Sequence, residues 1–203
     1  MRKQLCAVLG AAVLYLTAGI VPLFSWDGAE QPPRQFIGTS LFVLTSLIPD
    51  TGGFFYEVDY GYDLTEKDTL LAGVDVYQFT APMSTGWTDD ASYDGHVLSY
   101  GLIAGYQRFL WKGLFASQMA NGLIMDYYDQ RGEKVQSGLM LLLTTRAGWH
   151  WDLSLGGLSC YLEAAGEFNV WPVNTRVPSS FAELDDAYPV WVIAPALNWG
   201  IRF

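Results

Sequence analysis

Ser92, Asp94 and His96 are the residue types of a hydroxyl nucleophile, an orienting acid and a general base, grouped within five positions. All three share one parity of an extended chain. On a strand that spacing lines them up in a row and does not turn them toward one point, so they stand as candidates for catalysis and no more. A second group is acidic. Glu57, Asp59 and Asp75 alternate with apolar neighbours and, through the hairpin between them, come close together. Carboxylates so placed must find Arg or Lys partners, hold a cation, or take up protons. Arg146, Glu163, Glu167 and Arg202 lie on the same kind of small or polar face, as does His150, read as a network residue. A turn centred between Asp152 and Gly157 would set Arg146 nearly opposite Glu163 in a buried ion pair. Asp89, Asp90, Asp94, Asp126, Asp129, Glu133, Glu183, Asp185 and Asp186 fall in polar segments. Their oxygens suit calcium or magnesium, yet their spacing matches no calcium loop, so neither a metal nor a cofactor is expected.

The elements that must position these groups are strands. From Pro189 to Phe203, Trp191, Ile193, Leu197, Trp199, Ile201 and Phe203 fall on one parity, and Ala194, Ala196, Asn198, Gly200 and Arg202 on the other. A period of two with one greasy face is a strand signal. Phe54, Tyr56, Val58, Tyr60 and Tyr62 alternate with Phe55, Glu57, Asp59 and Gly61 still more clearly. The same alternation runs through Leu70 to Tyr77, Leu98 to Gln107, Leu139 to Trp151, and Tyr161 to Val170. Phe36 to Ser46 and Leu114 to Met125 read as strands whose faces do not separate cleanly. Eight strands result. Pro49 to Gly53, Thr80 to Gly95, Asp126 to Val135, and Trp171 to Tyr188 form longer connections; Thr65 to Asp68, Leu110 to Gly113, and Asp152 to Gly157 form shorter turns.

The chain has 203 residues, 15% aromatic and 16% charged, with a formal charge of −10. That length suits one domain. Met1, Arg2 and Lys3 followed by the apolar run Leu5 to Phe24 read as a signal peptide over residues 1–25, with Thr17-Ala18-Gly19 as a candidate cleavage site and an uncleaved anchor helix as the rival reading. Residues 26–34 are a linker and 35–203 the strand domain. Losing Arg2 and Lys3 takes the 11 basic residues to nine against 21 acidic ones, hence −12. An acidic chain gives no support for nucleic-acid binding. Cys6 sits in the leader, which leaves Cys160 without a partner for a disulfide.

With its even strand count, alternating long and short connections, many aromatics and a terminal Phe, the chain resembles the small eight-stranded outer-membrane β-barrel proteins of Gram-negative bacteria. The resemblance spans 35–203 but no motif selects a characterised subfamily. It implies an all-β fold, an eight-stranded antiparallel transmembrane β-barrel, in the bacterial outer membrane. It implies that Trp199, Ile201 and Phe203 carry the signal read by the barrel-assembly machinery, and that outer-membrane lipids and lipopolysaccharide are the other partners. Glu57, Asp59, Asp75, Arg146, Glu163, Glu167 and Arg202 would then form a charge network in a polar, largely filled lumen, since eight strands leave room for side chains only. Trp111, Trp149, Trp151, Trp199 and Tyr62 would girdle the periplasmic rim, and Trp171 and Trp191 the outer one. The expected role is structural or a surface interaction through the loops. Two alternatives follow from the same resemblance. One is passage of small apolar solutes with lateral exit, helped by Pro195. The other is a lipid-modifying acyl hydrolase or transferase at the outer rim using His96, although the His-x-Ser pair of the deacylases is missing.

Overall fold

The computed structural model of the chain describes residues 34–47, 53–85 and 91–203. The proposed leader, most of the linker, the turn residues Pro49 to Gly52, and Asp89 and Asp90 lie outside the described residues. The strands are β1 (Gln35–Ser40), β2 (Phe54–Asp63), β3 (Asp68–Phe79), β4 (Gly95–Trp111), β5 (Leu114–Asp129), β6 (Lys134–Leu155), β7 (Leu158–Thr175) and β8 (Trp191–Arg202). They pair antiparallel in sequence order, and β1 pairs with β8, so one sheet closes into a ring. The two-residue alternation in the sequence dictates this. Most strands turn mainly small, polar or charged residues inward and apolar residues outward, and closure satisfies the backbone groups that an open edge would strand.

Both described chain ends and the turns 64–67, 112–113 and 156–157 lie at one end of the barrel, called here the terminal end. The described residues 41–47, 80–85, 91–94, 130–133 and 176–190 of the other connections lie at the opposite end, the loop end. In β5 the inward residues are Phe115, Ser117, Met119, Asn121, Leu123, Met125 and Tyr127, all buried. That settles the faces that Leu114 to Met125 leave open as a sequence, where both parities carry apolar residues.

Four elements depart from expectation, each for a local reason. The stretch Phe36 to Ser46 is strand only to Ser40. The amide of Phe42 donates to Ser40 Oγ, and Leu41–Leu47 winds into a 3-10 helix. The loop expected from Asp126 to Val135 shrinks to 130–133, because Asp126 takes Ser137 and Lys134 as partners at 2.8 Å each, and Asp129 Oδ1 accepts the Arg131 and Glu133 amides. The turn after β6 is confined to Gly156 and Gly157, at φ 59° and 90°. Two consecutive left-handed residues make the tight hairpin that glycine permits. The long connection before β8 begins later than expected. β7 runs on to Thr175 past an irregularity between the Leu143↔Val170 and Leu141↔Val173 pairs, and α1 (Ser179–Asp185) follows. That irregularity turns Trp171 into the barrel, where it is buried, so it does not belong to an outer aromatic girdle.

Candidate functional site

The interior divides into a polar half and an apolar half. At the terminal end, Arg146 sits between two carboxylates, with Nε 3.0 Å from Glu167 Oε2 and Nη2 3.3 Å from Glu57 Oε1. The Gly156-Gly157 turn sets this pairing. It places Arg146 opposite Glu167 and His150 opposite Glu163, so the expected Arg146–Glu163 pair does not form. Glu163 instead accepts from Gln107 at 2.9 Å and meets His150 Nδ1 at 2.9 Å. Arg202 pairs with Asp63 and lies over the Phe36 ring. Glu57 stands directly across from Asp75 in the β2–β3 register. Asp75 is held by the Tyr77 hydroxyl and the Asn121 amide.

The loop end is closed by packing. Phe181 of α1 inserts between Tyr93 and Tyr127, with ring centroids at 4.7 and 5.1 Å. Around them Val97, Leu123, Met125, Met140, Leu142 and Trp171 form the main apolar cluster. The Tyr93 hydroxyl donates to Asp185. Burial raises the carboxyl pKa of Asp185, with Asp186 adding to the rise and the Tyr93 hydroxyl opposing it. A carboxyl whose pKa is higher docked than free favours docking when protonated. That stabilisation is complete below the ordinary carboxylate value of 3.8 and is lost as pH rises through the raised value. Amide exchange of residues 179–190, corrected for intrinsic rates, is therefore expected to be slowest in acid and to quicken as pH rises; protection that grows with pH would refute this.

Between these two halves lies a cavity of about 620 Å³. Its floor is polar, with Glu57, Asn121, Thr144, Arg146, Glu167 and Asn169; its walls are Phe55, Tyr77, Phe79, Ile103, Met119 and Leu142. Eight strands do not by themselves leave such a space. It exists because β1 stops. β1 pairs with β2 only as far as Gly38↔Asp59 and with β8 only as far as Ser40↔Asn198. Beyond those pairs no strand of the described residues lies between β2 and β8. The 3-10 helix occupies part of the gap, where Ser46 Oγ accepts the Phe55 amide at 2.9 Å and donates to the Phe55 carbonyl at 3.3 Å. That side chain replaces a ladder partner on the β2 edge.

The β8 edge is managed by Pro195. Phe203 and Gln35 exchange backbone bonds, so residues of the parity of Phe203 turn their N and O toward the β1 side. Pro195 shares that parity and sits past the last β1 pair, where a missing N–H costs nothing. The cavity reaches this edge. Its lining includes Ala194, Pro195 and Ala196 of β8 with Phe42 and Phe54, and both Pro195 and Phe54 belong to the outward parity. A space lined by inward residues of the far wall and outward residues of the near wall passes through the wall.

The other candidates are placed elsewhere. His96 is on the outward parity and stacks on Tyr128 at 4.8 Å, Asp94 accepts from Gln130, and Ser92 is exposed in the preceding connection. The structure does not bring them into the cavity. Asp126, Asp129 and Asp185 serve local turns and latches as described, and among the described residues no group of three or more His, Cys, Asp or Glu is arranged to hold a metal ion. Trp199 and Ile201 lie at the end of β8 and Phe203 just after it, beside β1 at the closing seam of the terminal end. Sequence reasoning missed Asn121, Met119 and the 3-10 helix. Pro195 was the available signal, since a proline in a strand points to an edge that carries no partner.

The chain matches no family model, no curated protein and no solved structure.

Proposed function

We propose that the protein is an integral outer-membrane β-barrel that takes up small apolar solutes through its wall from the surrounding lipid. The observation that carries this reading is the cavity at the β2–β8 gap: polar packing closes the barrel below it, α1 covers the barrel above it, and no strand among the described residues walls its side. Its volume is that of a site for one small molecule. The outward faces support a lipid setting. Leu102 and Ile193 are each 70% exposed, and Leu70, Val74, Leu139, Trp151, Phe168 and Leu197 continue the apolar surface around the ring. Soluble monomers rarely expose so continuous an apolar surface, whereas a barrel in lipid requires it. β2 and β8, of ten and twelve residues, meet the length of about 9 to 11 that a tilted strand needs to cross the hydrocarbon core.

A polar lumen with a purely structural role accounts for the terminal half, but it does not account for an apolar cavity beside an unpaired edge. The reading is tested by titrating the refolded protein, in lipid nanodiscs, with an uncharged fluorescent naphthylamine probe against empty discs. Saturable binding near one probe per barrel is expected. Uptake indistinguishable from that of empty discs would overturn it.

A further inference from the structure

The cavity has a polar floor as well as apolar walls, and the floor is short of hydrogen-bond donors at one point. Asn121 is 4% exposed and lines the cavity, yet its Oδ1 has no hydrogen-bond partner among the described residues. Its Nδ2 is committed to the Asp75 carboxylate, which also accepts from the Tyr77 hydroxyl. That commitment orients the amide, because only the NH₂ end donates to a carboxylate. A buried acceptor without a donor is costly, and one that lines a cavity is open to a donor from outside the chain.

Charge decides which donor. On the floor Glu57 and Glu167 share the guanidinium of Arg146, its one cation among the described residues, and Asp75 is bonded to Asn121. The floor therefore carries more negative than positive groups in a setting of low dielectric, where such an excess is felt strongly. Among the described residues no set of three ligands for a metal ion is present to neutralise it. The walls above are aromatic and aliphatic, with Phe55 stacked on Tyr77 at 4.8 Å.

Building on the reading of this cavity as a lipid-facing ligand site, we propose that its occupant is an apolar molecule bearing a primary ammonium group. The ammonium donates to Asn121 Oδ1 on the floor while the apolar body lies along Phe55, Phe79 and Leu142 toward the gap at Pro195. A carboxylate of the same length would meet the same acidic floor and be rejected. A neutral alcohol would satisfy the acceptor without answering the charge.

The test is displacement of the naphthylamine probe from the protein in nanodiscs of zwitterionic lipid, with dodecylamine, dodecanol and dodecanoate each corrected for partition into empty discs. Dodecylamine is expected to displace at a concentration about tenfold below that of dodecanol, with dodecanoate weakest. Asn121→Leu removes the acceptor and is expected to weaken displacement by the amine and by the alcohol alike. Asp75→Asn keeps the side-chain shape, removes one negative charge, and is expected to narrow the gap between amine and alcohol, so the proposal stays testable if the leucine variant does not fold. Displacement by dodecanoate equal to or better than by the amine overturns the proposal, as does an amine preference that Asp75→Asn leaves intact or an amine affinity that Asn121→Leu leaves unchanged. Failure of the wild type to bind the probe at all is a different result, and it removes the lipid-facing site itself.

Discussion

Arg146→Leu is expected to lower the unfolding free energy by about 3 to 5 kcal/mol, the cost of leaving buried carboxylates without their cation. Arg146 is 9% exposed and bonds Glu57 on β2 and Glu167 on β7 at once. Those strands sit on opposite sides of the closing seam, with β1 and β8 between them. Removing the guanidinium leaves two carboxylates facing each other beside Asp59 and Asp75, and leucine offers neither of them a hydrogen bond. The loss is therefore mainly the penalty on what stays behind. The triple change Arg146→Leu with Glu57→Gln and Glu167→Gln is expected to recover most of it, since no buried charge at that site is then uncompensated. Urea unfolding of the refolded barrel, followed by tryptophan fluorescence, measures both. Equal stability of Arg146→Leu and wild type would show that the pairs contribute nothing.

Ala194→Trp is expected to reduce probe binding by at least about tenfold while the barrel still forms. Ala194 faces inward on β8, lines the cavity, and flanks the gap beside Pro195. The cavity is large enough to accept an indole without forcing the packed wall apart, so the usual cost of overfilling a close-packed core, about 1 to 3 kcal/mol, is avoided here. The ring displaces the ligand instead. Unchanged affinity in a folded Ala194→Trp protein would place the binding site elsewhere on the barrel.

How far the sequence reveals this arrangement depends on what each feature rests on. Strand faces are local, and alternation from Phe54 to Tyr62 or Leu98 to Gln107 reports them directly. Register is not local. Moving the centre of one turn by two residues changes the partner of Arg146 from Glu163 to Glu167, because each step of the turn centre shifts the opposite residue by two. The sequence Asp152 to Leu155 reads equally as turn or strand, and the left-handed Gly156-Gly157 pair decides it. Leu41 to Leu47 is apolar and strand-compatible, so only the loss of strand neighbours beyond Gly38 and Ser40 reveals the 3-10 helix. The cavity is less legible still, since it arises from a strand that ends early. Asn121 was hidden for a simpler reason. β5 carries apolar residues on both faces, Met119 and Leu123 inward against Ala120 and Ile124 outward, and its polarity pattern does not separate them.

An opening through the β2–β8 gap would connect the cavity with lipid and with neither aqueous phase. Met119 is 4% exposed and lines the cavity from the far wall. The most direct measurement is the labelling rate of Met119→Cys in a Cys160→Ser background, reconstituted in vesicles, by a lipid-dissolved maleimide and by a membrane-impermeant one supplied on both sides. Reaction with the lipid-dissolved reagent and protection from the aqueous one are expected. Faster labelling by the aqueous reagent, or by neither, would contradict it.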